Sequence, residues 1–247
     1  MMMPIRFDPG VAAKILAYAR LLTARGYVHN QLGNVAIRVP HPEHEHGVIY
    51  TKHAGVSLEE ATADNVVITD VPTGALLHGT VPTSVGHQLN REILRLRPDV
   101  GAVIHVHLDE MIALFASRAV KELRVVSLEF PLIMGRPPVL LPSHMDVEQD
   151  VGPVGGFIQD TNAIMMENHG VTTLGATLAE AYHRLNTLAA EVRRVTQAEM
   201  LARVAGTEVA YLAPDAVDFM YRNARELQYA SMDRGGPEMA PPTPQRS

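Results

Sequence analysis

The chain has 247 residues and a formal net charge of −6, and its scattered basic residues exclude a typical nucleic-acid-binding surface. It has no cysteine, so disulfides and thiolate ligands are excluded, and a bound metal would need nitrogen or oxygen ligands. The N-terminus lacks the apolar core of a signal peptide and no segment approaches the roughly 20 apolar residues of a membrane span, which predicts a cytoplasmic protein without membrane contact.

The first third of the chain predicts one helix and two extended segments. The helix is expected to begin at Asp8 and to end at Gly26. Extended segments follow at 34–39 and 47–51. The stretch 40–46 between them, rich in His and Glu, is interpreted as a solvated hairpin loop. It is a second, weaker metal candidate, because a mobile loop loses chain entropy when it chelates an ion.

The middle of the chain continues this alternation. A strand is predicted within 62–70. Thr83 and Ser84 are expected to cap a helix that ends at Leu96, since hydroxyl side chains accept from free amides at a helix start. Asp109 is expected to cap another short helix.

The C-terminal part contains the longest predicted helix. A strand at 163–166 is followed by a capping box at 177–180 and an apolar stripe that continues towards Gly206. No linker composition divides the chain before the tail, so we expect a single catalytic domain over 1–232. The Gly- and Pro-rich stretch 233–247 is predicted to be a disordered tail.

The strand-like run 101–107 carries the strongest chemical signal. Alternation along a strand places His105 and His107 on one face, with the imidazoles roughly 7 Å apart. His169 follows a second apolar run and would complete an open three-histidine site of the catalytic type. Because histidines in buried strands are often only hydrogen-bonded, neither motif alone decides between a metal ligand and a structural residue.

Several stretches together are similar to one known family, in the same order as in that family over about residues 10–200. They resemble the class II aldolase/adducin superfamily, which includes sugar-phosphate aldolases, epimerases, dehydratases and some decarboxylases. The matching stretches are Leu32–Arg38, His53–Val56 with Asp64, Leu94–His107, and Glu167–Gly170 with Gly175 and Glu180.

The resemblance implies an α/β fold, a three-layer α/β/α sandwich with a mostly antiparallel central sheet. It further implies a homotetramer with active sites near subunit interfaces and a small-molecule substrate. By the same resemblance, His105, His107 and His169 bind a catalytic divalent metal. Zn²⁺ is the first expectation, with Mn²⁺, Fe²⁺ or Co²⁺ as alternatives.

The departures from the family pattern concern the phosphate pocket and the catalytic acid. The Ser-Ser-Glu stretch of sugar-phosphate members falls on 84–86, so the family's glutamate is missing at Gly86. Small hydroxylated residues are replaced by Leu32 and Ala54. Because a phosphate dianion needs many donors to replace its hydration shell, these losses favour a substrate without phosphate.

Four residues are expected to contact the substrate: Asn34, Lys52, Gly55 and Ser84. For Lys52 the alternative is a side chain that simply faces solvent. The acid/base is expected to be Glu129, which lies near the catalytic glutamate of the dehydratase branch, or His87. Both are open to the alternative of an ordinary ion pair or surface residue. Tyr221 is a further candidate proton donor to a neighbouring subunit's site.

These observations favour a divalent-metal-dependent carbon-carbon lyase. It would act through a metal-stabilised enolate, by decarboxylation or retro-aldol cleavage, on a non-phosphorylated oxo, hydroxy or aromatic acid. The alternative is a sugar-phosphate aldolase, epimerase or dehydratase of the fuculose-phosphate aldolase type. A non-haem iron oxygenase and a non-catalytic adducin-like module are further alternatives, although adducin-type domains generally lose the metal histidines.

Overall fold

A computed structural model of the chain describes residues 5–232, with side chains as far as residue 227. The predicted tail 233–247 therefore lies outside the described residues. The helices are α1 (Pro9–Ala24), α2 (His87–Leu96), α3 (Asp109–Ala116), α4 (Glu129–Met134), α5 (Leu178–Ala205) and α6 (Pro214–Met232). The strands are β1 (Asn34–His41), β2 (His44–Lys52), β3 (Val66–Asp70), β4 (Leu76–His78), β5 (Ala102–Val106), β6 (Val139–Leu141), β7 (Ala163–Met166) and β8 (Val171–Gly175).

All eight strands form one sheet in the order β4-β3-β2-β1-β5-β8-β7-β6. Only β6 and β7 pair in parallel, so the predicted, mostly antiparallel sheet is confirmed. The register places His105 of β5 opposite Asn34 of β1 on one side and opposite Thr172 of β8 on the other. At the centre of the sheet, β5, which contains His105 and is followed directly by His107, therefore pairs with β8, which follows His169.

Helices cover both faces of the sheet and give it two separate apolar cores. Ile104 and Val106 of β5 belong to the core formed with α1, α3 and α5. Val103, the residue before Ile104, belongs to the opposite core with Leu89 of α2 and the short 3₁₀ helix Gly152–Gly156. This alternation confirms the predicted three-layer arrangement and directs His105 to the α2 side of the sheet.

Two helices begin as their sequences predict. Asp8 caps α1, where its Oδ1 accepts from the amide of Gly10 at 2.7 Å. Thr177 caps α5 by accepting from the amide of Glu180, and Glu180 Oε2 accepts from the amide of Ala176. Among the described residues, none of the helices has the length and hydropathy needed to cross a bilayer.

The start of α2 was predicted wrongly. The helix begins at His87, its N-cap is Gly86, and no side chain makes a cap hydrogen bond there. Thr83 and Ser84 lie before the helix, in a loop whose apolar residue Val85 is 56% exposed. The buried apolar residues of the helix begin at Leu89, and Val85 lies outside it.

The hairpin between β1 and β2 is tighter than predicted. The strands extend through His41 and from His44, which leaves only Pro42 and Glu43 in the turn. His44 Nδ1 lies 2.7 Å from Asp70 Oδ1. All three histidines of this stretch, His41, His44 and His46, are therefore strand residues rather than members of a solvated loop.

Candidate metal centre

His105, His107 and His169 converge at one end of β5. One ligand atom from each lies within 4.8 Å of the others. Their ring centroids are 5.2, 5.3 and 5.0 Å apart. Burial lowers the pKa of all three imidazoles, so they are neutral and have lone pairs for a cation. This arrangement matches an open three-histidine metal site.

His169 reaches the other two rings through a tight turn between β7 and β8. Asn168 adopts a left-handed conformation with φ of 58°, which Asn tolerates better than most residues. A Cβ atom at position 170 would lie 2.6 Å from the carbonyl oxygen of Val106. The Asn-His-Gly sequence therefore has a local reason: the turn must pass close to the end of β5.

The orientation of His105 is fixed by a neighbouring strand. Its Nδ1 lies 3.0 Å from Oγ1 of Thr172, and both side chains are buried. Donation from Nδ1–H to the hydroxyl leaves Nε2 as the nitrogen with a free lone pair. Among the described residues, this buried Nε2 has no hydrogen-bond partner. An unsatisfied buried nitrogen facing two more imidazoles fits a metal ligand.

Replacing Thr172 with Val is expected to weaken zinc binding by about 10- to 100-fold, because the ring of His105 loses its orienting partner. Competition with a chromophoric chelator measures this affinity. Thr173→Val is the matched control, since its buried hydroxyl bonds to Ala181 instead of to a histidine. Equal zinc affinities for the two variants would contradict the role of Thr172.

A carboxylate that the sequence reading missed lies beside the histidines. Glu148 Oε1 is 3.6 Å from Nε2 of His105, and Oε2 is 3.4 Å from Nε2 of His169. Burial raises the pKa of Glu148 to about 7, with a smaller contribution from Asp146. A cation bound by the histidines would lower this pKa, because it stabilises the charged carboxylate.

Glu148 fills the space next to Gly86. A Cβ atom at position 86 would lie 2.5 Å from Glu148 Oε1 and 2.8 Å from Oε2. A larger side chain at position 86 and the present position of Glu148 are therefore incompatible. Where the family pattern has a glutamate, this chain has Gly86. The carboxylate of Glu148, from the segment between β6 and the 3₁₀ helix, occupies the space beside it.

The three histidines and Glu148 open into a cavity of about 210 Å³, lined also by segments 31–34 and 84–86. Two of the predicted substrate residues, Asn34 and Ser84, lie in these segments. Asn34 is buried, and its Oδ1 accepts from Nδ2 of Asn90 at 2.6 Å. Its own Nδ2 group is therefore the part left to donate to a ligand.

Comparison with known proteins agrees with this geometry. A family model described as Class II Aldolase and Adducin N-terminal domain matches residues 13–194. The chain belongs to this family. An L-fuculose phosphate aldolase of Methanococcus maripaludis is 27% identical over 175 residues, covering 71% of this chain and 90% of the aldolase. Human gamma-adducin is 25% identical over 242 residues, covering 92% of this chain but only 31% of the adducin, so the chain spans about a third of that relative.

Solved structures of the family share the fold. An L-fuculose 1-phosphate aldolase superposes with a TM-score of 0.74 at 15% identity, covering 90% of this chain and 98% of the aldolase. An aldolase II superfamily protein from Pseudomonas syringae gives a TM-score of 0.72 at 19% identity and covers 93% of this chain and 94% of its own. At these identities the likeness shows the fold and no more.

Two predicted substrate residues of this class II aldolase family member do not line the cavity. Lys52 is buried, its Nζ donates to the carbonyl of Gln31 at 2.9 Å, and burial lowers its pKa to about 8. It therefore neither faces solvent nor lines the cavity, but supports the segment that does. Gly55 is exposed, with φ of 82°.

The predicted acid/base residues also lie outside this cavity. Glu129 is exposed and its Oε1 lies 2.5 Å from Nη1 of Arg194. Tyr221 lines a separate cavity of about 700 Å³, where burial raises its pKa. His87 is buried, and its Nε2 lies 3.0 Å from Oγ1 of Thr69. Within one chain, Glu148 is the carboxylate beside the three histidines, and Glu129, His87 and Tyr221 lie away from them.

His87 is expected to make stability pH-dependent. Burial, and then Arg91, lower its pKa to about 3 in the folded state, against an ordinary value of 6.5. The unfolded chain binds the extra proton between these values, so stability falls as the pH drops below 6.5. The loss from pH 7 to 5 is about 2 kcal/mol. Urea unfolding in EDTA should show this loss reduced in His87→Asn, whereas parallel pH profiles would contradict it.

Proposed function

We propose that the protein is a divalent-metal-dependent carbon-carbon lyase that acts on a non-phosphorylated oxo, hydroxy or aromatic acid, by decarboxylation or retro-aldol cleavage. The observation that carries this proposal is the convergence of His105, His107 and His169 at the floor of an open cavity. Zn²⁺ is the proposed ion, since three neutral imidazoles with an open position suit it.

A divalent ion held by the three histidines would polarise a substrate carbonyl and stabilise negative charge on its oxygen. The chain's own residues position the reactants and handle the proton. Thr172 holds the tautomer of His105, and Asn34, oriented by Asn90, offers its amide to a substrate oxygen. Glu148 takes a proton from the substrate hydroxyl in aldol cleavage, or returns one to the cleaved carbon after decarboxylation.

The lining of the cavity supports a substrate without phosphate. Among the residues that the structure describes, no lysine or arginine lines it. Lys52 donates its hydrogen bond to the carbonyl of Gln31 and does not line the cavity. Since a phosphate dianion needs several donors or cations to replace water, a carboxylate and a carbonyl are better matched to Asn34, Ser84 and the metal.

A sugar-phosphate lyase is the second candidate, because the archaeal relative is named for L-fuculose phosphate and most of its length matches this chain. An adducin-like interaction module is disfavoured because the three histidines are all present and converge. The proposal includes the homotetramer and the cytoplasmic location implied by the resemblance. In such a tetramer Tyr221 is a candidate proton donor to the site of a neighbouring subunit.

The test is a substrate panel with purified protein reconstituted with Zn²⁺, Mn²⁺, Co²⁺ or Fe²⁺. The panel contains aliphatic and aromatic 2-oxo and hydroxy acids together with L-fuculose 1-phosphate, and NMR detects fragments and released CO₂. We expect cleavage of a non-phosphorylated acid that EDTA abolishes and added metal restores. A higher kcat/KM for the sugar phosphate would favour the second candidate, and iron-dependent oxygen uptake would favour an oxygenase.

A further inference from the structure

Two large aliphatic side chains line the metal cavity and remain exposed. Leu32 is 52% exposed and Val85 is 56% exposed. They come from different segments, Leu32 from the approach to β1 and Val85 from the loop before α2, and both lie among the few residues around the same 210 Å³ cavity. We call them the aliphatic pair. A ligand that fills this cavity next to the histidines contacts both.

Local structure holds each member of the pair in place. The amide of Leu32 donates to Oδ1 of Asn30 at 2.7 Å. The next residue, Gly33, has φ of 79°, and a Cβ atom there would lie 3.0 Å from the carbonyl oxygen of His105. The backbone at Gly33 therefore packs closely against His105 of β5, and Leu32 lines the cavity beside it.

Val85 is held in a comparable way on the other segment. Its carbonyl accepts from the amide of Gln88 at 2.9 Å, which joins the loop to the first turn of α2. Gly86, directly after it, packs against the carboxylate of Glu148. The exposed isopropyl group therefore lines the same cavity as Glu148 and is not on a free loop.

We propose that the aliphatic pair selects substrates that carry an apolar group, in particular an aromatic ring, beside the metal-binding oxygens. This inference rests on the proposed function and narrows its substrate class to aromatic acids. Covering the exposed aliphatic surface with a ring lowers the free energy of the complex. A phosphate placed there would lose its hydration without gaining a hydrogen-bond donor. Size permits it, since an apolar cavity of about 150 Å³ is enough to bind benzene.

The test compares two inert ligands with the same metal-binding head, benzohydroxamate and acetohydroxamate. Isothermal titration calorimetry on the Zn²⁺-loaded full-length protein gives both dissociation constants without turnover. We divide each dissociation constant by the ligand's dissociation constant for zinc in solution. On this scale we expect benzohydroxamate to bind about tenfold more tightly than acetohydroxamate, because its ring buries apolar surface. In the double variant Leu32→Ser/Val85→Ser, this preference should fall to near one while the zinc content is unchanged.

Leu201→Ser is the matched control, since Leu201 is 70% exposed on α5 and lies outside the cavity. It should keep the tenfold preference. An equal preference in the wild type and the double variant would overturn the aliphatic pair and leave the lyase proposal intact. A double variant that changes the oligomeric state but not the preference would assign the pair to a subunit contact and overturn the inference. Absence of zinc-dependent binding by either hydroxamate would overturn both proposals.

Discussion

Replacing His169 with alanine is expected to remove the metal and abolish turnover. The ring supplies one of three ligand atoms that lie within 4.8 Å of one another, and the two that remain do not make a stable zinc site. Loss of Lewis-acid stabilisation worth several kcal/mol corresponds to a fall in kcat of about 1,000-fold or more. Elemental analysis and turnover of the acid found in the substrate panel measure the two effects together.

His183→Ala is the control for this experiment, because His183 is an exposed histidine of α5 outside the metal centre. It should retain both the metal and the activity. A His169→Ala protein that lost activity but bound one equivalent of zinc with undiminished affinity would show that His169 acts in another way than as a ligand.

Replacing Glu148 with Gln is expected to lower kcat by about 100- to 10,000-fold, the usual contribution of a positioned acid or base. The substitution keeps the shape of the side chain and removes the proton-transfer group. Zinc content should stay at the wild-type level, which separates this effect from loss of the metal. Glu129→Gln is the informative comparison, since the sequence pattern favours Glu129 while its carboxylate pairs with Arg194.

The space shared by Glu148 and Gly86 allows a stricter test. The backbone at Gly86 has φ of −57° and ψ of −15°, which any L-residue adopts. Adding Gly86→Glu to the inactive Glu148→Ala variant should therefore place a carboxylate where the family carries it and restore activity at least tenfold, given the size of an acid/base contribution.

If Glu129→Gln were inactive and Glu148→Gln fully active, the role of Glu148 would be refuted.

The convergence of the three histidines was predictable because each part of it depends on local rules. Alternation along β5 and into the residue after it places His105 and His107 on one side, and the Asn-His-Gly turn is a short connection between adjacent strands. The family resemblance then joined the two motifs. The caps of α1 and α5 were likewise readable from Asp8 and from the pair Thr177 and Glu180.

Glu148 was not predictable in the same way, because its position depends on packing between distant segments. It lies in an irregular stretch anchored by Val147 in the core on the α2 side of the sheet. Its proximity to His105 therefore follows from the tertiary fold. One indirect signal was present: the absence of a carboxylate at Gly86 indicated that one had to come from elsewhere. Similarly, the periodicity predicted a helix for the segment before His87, but this segment is a loop whose last residue, Gly86, lies against Glu148.

X-ray absorption spectroscopy of the zinc-reconstituted protein tests the central claim most directly, because it counts the imidazoles around the ion. We predict one zinc per chain with three imidazole ligands, and a loss of imidazole scattering in the His105→Ala, His107→Ala and His169→Ala variants. A protein that binds no zinc, or whose zinc environment is unchanged in all three variants, would contradict the account.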